Sequence, residues 1–156
     1  MAGGEVSVAR GADLNTSGGQ TQGMIRKNAI VDKSNQLCGS VMIAKPHSAS
    51  DVHHHGEEGM LHKPLTPSIM PPCWSSQCSH PTDTIVYAAS GRGTVVSGPN
   101  GSIRHDLAPG DFALIPAFTE HQEANDSDED VVWIITRGGR NPIVQNLTGW
   151  GGENQK

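Results

Sequence analysis

Apolar positions along this chain fall in short runs, many of them alternating with polar ones, and no stretch repeats them every three or four residues as an amphipathic helix would. The runs predict strands over 24–31, 37–44, 51–55, 84–89, 94–96, 102–107, 112–115 and 131–136. Ser90-Gly91-Arg92-Gly93 reads as a hairpin turn, and Ala108-Pro109-Gly110-Asp111 as a second turn that launches the strand after it. Short strands separated by closely spaced turn signals predict an all-β sandwich or barrel. The 19 glycines and 10 prolines in 156 residues agree with that density of turns. The length suits one domain with a core of its own. Residues 1–20 are rich in Gly, Ser and Thr without periodicity and read as a flexible N-terminal arm. The barrel is expected over 21–150, with 151–156 a short tail. The acidic run 125–130 reads as a solvated loop. Ile143, Val144, Leu147 and Trp150 are expected to pack back over the barrel.

Charge and composition narrow the function. A net charge of −5 with no basic stripe gives no support to a nucleic-acid or anionic-membrane partner. No apolar run approaches the length of a membrane span, and the N-terminus lacks the apolar core of a signal peptide. Cys38, Cys73 and Cys78 make an odd count with no disulfide framework, which agrees with a reducing, cytoplasmic compartment.

Eight histidines are many for this length, and three are consecutive. Side chains alternate along a strand, so His53 and His55 share one side and His54 faces the other. Two imidazoles so spaced can ligate one metal ion, and a third ligand must come from a distant segment. His121 offers it: a turn launches a strand at Gly110, Pro116 ends that strand, and His121 begins the next.

The segment 110–125 is similar to the second cupin motif, G-x5-P-x-G-x2-H-x3-N, at Gly110, Pro116, His121 and Asn125, and departs from it at Phe118. His53, His55 and Gly91 match the first motif, with His47 where its first glycine is common. The resemblance spans roughly 37–137 and implies a cupin jelly-roll barrel holding one divalent transition metal. Counting back from Gly91, the place of the cupin glutamate falls on Thr84. The expected site is therefore His53, His55 and His121, with Thr84 or water in the fourth position and Glu57, Glu58 or Asp83 as the other carboxylates in reach. By donor type the ion is Fe2+ first, with Mn2+, Ni2+ and Zn2+ also suited. Tyr87, Gln122 and Glu123 lie near the motifs in sequence and are candidates for proton handling. Phe112, Phe118 and Trp133 serve either as walls of the site or as core.

Residues 59–82 interrupt the pattern: they hold half the prolines and two of the three cysteines, and show neither period. Without them, Glu58 would run into Asp83 and restore a tight hairpin. Two readings stand. The segment is a translated, unspliced intron, since Gly59-Met60-Leu61 and Cys78 to Asp83 can be encoded with fungal donor, branch and acceptor signals. Alternatively it is a genuine lid, with Met60, Leu61, Ile69, Met70 and Trp74 over the barrel mouth. Within the cupins, the runs His-His-His-Gly-Glu-Glu, Asp-Thr-Ile-Val-Tyr, Glu-His-Gln-Glu and Val-Val-Trp-Ile-Ile-Thr-Arg resemble those of short single-domain cupin oxidoreductases from fungal polyketide clusters of the salicylaldehyde type. That resemblance implies an oxidoreductase acting on a small aromatic or polyketide intermediate, and a homodimer. A non-redox isomerase, lyase or cyclase, or a non-catalytic small-molecule-binding cupin, remains open beside it.

Overall fold

Among the described residues, eleven strands form two antiparallel sheets. The computed structural model describes residues 5–17, 21–55 and 82–155. The strands are β1 (Met24–Ile30), β2 (Leu37–Ala44), β3 (Ser48–Ala49), β4 (His53–His54), β5 (Thr84–Ser90), β6 (Gly93–Ser97), β7 (Ile103–Leu107), β8 (Phe112–Ile115), β9 (His121–Asn125), β10 (Val131–Gly138) and β11 (Gln145–Asn146). One sheet runs β1-β2-β10-β5-β8; the other runs β11-β4-β9-β6-β7, with β3 also paired to β9. Two facing antiparallel sheets with these long-range crossings form the jelly roll expected of a cupin. No helix of the described residues is long and apolar enough to cross a membrane.

The alternation that marks the strands also sorts their side chains. On β2 the inward residues are Cys38, Ser40, Met42 and Ala44; on β5, Thr84, Val86 and Ala88; on β10, Val131, Trp133, Ile135 and Arg137. Register aligns them in rows: Met42, Trp133 and Ala88 share one level, and Cys38, Arg137 and Thr84 another. The interior therefore has two ends. The apolar end gathers Met24, Met42, Val86, Val95, Leu107, Ile115, Val131, Trp133 and Ile135, and its burial drives folding. The other end is polar, and His53, His55, His121 and Glu123 lie there.

Differences from the sequence-based strands are small and physical. The strand expected over 51–55 narrows to His53–His54, whereas the last long strand runs on through Gly138 and so turns Arg137 inward. Asn125, assigned from sequence to the acidic loop, ends β9 and is fully buried. Its amide donates to the carbonyls of Ala44, Lys45 and Glu129, and its oxygen accepts from Ser127. In the arm, Thr16 pairs with Lys27 of β1. At the C-terminal end, Leu147 is buried and its N–H donates to Val52, while Ile143 stays exposed. The insertion at 59–82 lies outside the described residues except for Thr82, as do Glu57 and Glu58.

Candidate metal centre

The polar end is built mainly by two strands of the second sheet. On β4 and just after it, His53 and His55 point inward and are 1% and 4% exposed, while His54 sits between them on the other side, near Phe118. His121 opens β9 directly opposite His53 in register. The three side chains thus come from two segments 66 positions apart in sequence (55 to 121) and meet because β4 and β9 pair. One ring nitrogen from each lies within 4.8 Å of the others.

The ring nitrogens divide their work cleanly. His53 Nδ1 is 2.8 Å from the Asp51 carbonyl, and His121 Nδ1 is 2.8 Å from that of Thr119. A carbonyl only accepts, so both Nδ1 atoms carry the proton and both Nε2 atoms keep a lone pair. His55 Nδ1 is 3.0 Å from the Thr84 hydroxyl. All three Nε2 atoms are buried and have no hydrogen-bond partner among the described residues. Outer partners on Nδ1 with free Nε2 lone pairs converging inside is the arrangement of histidines that ligate a metal. Burial pushes the pKa of all three rings down, that of His53 to about 4, so they are neutral at neutral pH and able to donate.

Glu123, two residues beyond His121 on the same inward face, adds a carboxylate. Its Oε2 stands 3.6 Å from His53 Nε2 and its Oε1 3.7 Å from His121 Nε2. These gaps are too long for hydrogen bonds, but donors about 2.1 Å from a common ion stand roughly 3–4 Å from each other. Ser50 holds the carboxylate by donating to Oε2 at 2.8 Å, while Oε1 has no partner among the described residues. Burial alone would raise the Glu123 pKa; the facing His53 and His121, the Ser50 hydroxyl and Arg26 outweigh it and hold the group down at about 2. The donor set is thus three imidazole nitrogens with an ionised carboxylate beside them, and the residues present fit a divalent transition metal.

The remaining sequence candidates fall elsewhere. Thr84 is buried with its hydroxyl on the Nδ1 side of His55, away from the converging nitrogens. Tyr87 points out of the barrel and packs against Phe112, ring centroids 4.7 Å apart. Gln122 faces the opposite side of β9 from His121 and donates to the Ser50 carbonyl at 2.6 Å. Asp83 accepts from the Ala117 N–H. Trp133 is core, whereas Phe112 and Phe118 are exposed. Arg137 was not among the candidates; carrying the alternation of 131, 133 and 135 two residues further would have placed it inside.

Residues 69–137 match the family described as Cupin domain, a stretch that takes in Thr84, His121, Glu123 and Arg137 but begins after His53 and His55. A comparison with curated proteins finds no match. The fold is similar to that of KdgF from Halomonas sp., with a TM-score of 0.61 and 17% identity over 88% of this chain and 96% of that one. It is similar also to the polyketide cyclase RemF from Streptomyces resistomycificus, with a TM-score of 0.63 and 13% identity over 92% and 86%. Oxalate decarboxylase from Bacillus subtilis, with its Mn(II) centres, gives a TM-score of 0.59 and 16% identity over 82% of this chain and 29% of that one. At these identities the likeness is one of fold. The partial match and the fold likeness agree on a cupin-type jelly roll, and in it three buried histidines are placed to bind a metal ion.

Proposed function

We propose that this chain is a metal-dependent cupin oxidoreductase, with His53, His55, His121 and Glu123 as the ligands and Fe2+ as the ion; Mn2+, Ni2+ and Zn2+ are the other ions this donor set accepts. The observation that carries it is the convergence of three unpartnered, neutral Nε2 atoms beside a fixed carboxylate. A bound ion of this kind supplies Lewis acidity and open positions at which a substrate oxygen is polarised. The chain's own residues do the rest. Asp51, Thr119 and Thr84 fix the three rings from behind, and Ser50 fixes the carboxylate. Thr84 serves in this reading as a positioning residue for His55, and Glu123 takes the fourth place that sequence had given to Thr84.

The substrate class, a small aromatic or polyketide-derived molecule, comes from the resemblance to the fungal cluster cupins, the homodimer from the cupin resemblance in general, and the cytoplasmic location from the odd cysteine count. A second reading, a non-redox cyclase or isomerase on the same residues, is favoured by the fold likeness to a polyketide cyclase. Dioxygen consumption separates the two: turnover that continues anaerobically selects the second.

Metal analysis tests the centre itself. The protein is expected to hold one ion per chain after dialysis. His121→Ala should abolish binding, and Glu123→Gln should weaken it by at least about tenfold. Thr84→Val should keep the ion but weaken it less than Glu123→Gln does. Absence of metal from the wild-type protein, under any loading condition, would remove the enzyme reading.

A further inference from the structure

The wall facing the three histidines carries a buried cation that neither the fold nor the metal ligands use. Arg137 is the last inward residue of β10, 3% exposed, and it lies between Cys38 of β2 and Thr84 of β5 in register. None of its three guanidinium nitrogens has a hydrogen-bond partner among the described residues. Its neighbour Thr84 touches His55 at 3.0 Å, so the guanidinium occupies the same end of the barrel as the metal ligands. Its field reaches all three histidines, and Glu123 acts on it in return. Burial lowers its pKa to about 10, which leaves it charged at neutral pH. Arg26 of β1 adds a second positive group that acts on both Glu123 and Arg137.

A buried charge without a partner is strongly destabilising, and groups of this kind persist where a ligand completes them. Glu123 faces His53 and His121 and is held by Ser50, so it makes no hydrogen bond to the Arg137 guanidinium. The missing component is an anion. Guanidinium, a planar fork of donors, matches a carboxylate in a bidentate way that a lysine cannot. A mostly polar cavity of about 250 Å³ is lined by Arg26, Ser50, Asp51 and His53 together with Met24 and Met42.

We propose that Arg137, assisted by Arg26, is the anion-binding side of this centre, and that its ligand is a small carboxylic acid whose second oxygen faces the histidines. The second oxygen rests on the metal reading above; the carboxylate subsite does not.

Calorimetric titration of benzoate, salicylate, inorganic phosphate and the neutral benzamide into metal-free and metal-loaded protein tests it. Benzoate should bind the metal-free wild type, lose at least tenfold in Arg137→Gln, and recover in part in Arg137→Lys. Benzamide should not bind. Salicylate should exceed benzoate only in the loaded protein. If that gain is missing while the Arg137 dependence holds, the subsite stands and the metal reading falls. Equal benzoate affinity in wild type and Arg137→Gln overturns the proposal, and phosphate binding tighter than benzoate overturns the carboxylate assignment. Folding is checked with Arg137→Met. Removal of an unpaired buried charge should leave the ligand-free melting temperature unchanged or higher, and a drop of roughly 10 °C would show the guanidinium tied to a protein group instead.

Discussion

Phe118 and His47 stand where the cupin motifs carry glycine, and both have left-handed backbones, with φ of 61° and 53°. The departures visible in the sequence are thus real conformational costs, because an L-residue in that region gives up about 1–2 kcal/mol that glycine does not. Phe118 is 42% exposed, and its N–H, which donates to the His55 carbonyl at 2.7 Å, survives substitution. Phe118→Gly is therefore expected to stabilise the protein by about 0.5 kcal/mol once the extra freedom of an unfolded glycine is subtracted. Urea titration should show a higher midpoint with an unchanged slope. Gly93 is the converse case. A Cβ there would sit 2.2 Å from Cζ2 of Trp133, a rigid ring at the centre of the core. Gly93→Ala should cost about 1–3 kcal/mol, read from the same titration.

Among the elements, β9 and β10 explain what was legible and what was not. Period-two alternation showed that His53 and His55 share a face, and the same reasoning applied to β9 puts Glu123 beside His121. The sequence motif directed attention instead to Thr84, where other cupins carry the glutamate. In the centre proposed here the carboxylate comes from β9 rather than β5, which no spacing rule anchored on Gly91 can reveal. Arg137 was hidden by a strand end, since a polar Thr-Arg pair after Ile135 looks like the start of a loop until pairing with Cys38 and Thr84 extends it. The passage of the chain from β4 in one sheet to β5 in the other supports a further prediction. His55 and Thr84 lie on either side of the interruption, yet their side chains meet at 3.0 Å. Deleting 59–82 leaves Gly56, Glu57 and Glu58 to join His55 to Asp83, a span three residues can cover. The shortened protein is expected to fold and to bind metal at least as tightly as the full chain, measured by melting temperature and metal content. Loss of folding would make the segment part of the barrel rather than an interruption of it.

For the molecule as a whole, the buried imidazoles set a pH limit. In the metal-free protein the His53 pKa lies near 4, against about 6.5 for an unfolded histidine, and His55 and His121 are shifted the same way. Between those values the unfolded chain binds more protons than the native one. The stability these rings contribute is therefore fully present above pH 6.5 and declines as the pH is lowered towards 4. Melting curves of the chelated protein should fall through that window, and the rise in melting temperature given by added metal should fade only as the pH approaches 4, where protons compete for the same Nε2 atoms. Lastly, the barrel interior assigns cohesion and chemistry to opposite ends: Trp133 and its neighbours make one, the histidines and Arg137 the other. Substitutions at well-separated levels should add independently. A lineage could exchange ligands, relocate a carboxylate or acquire a new counter-ion without endangering the scaffold, and the same separation invites a designer to rewrite the reactive half while leaving the other untouched.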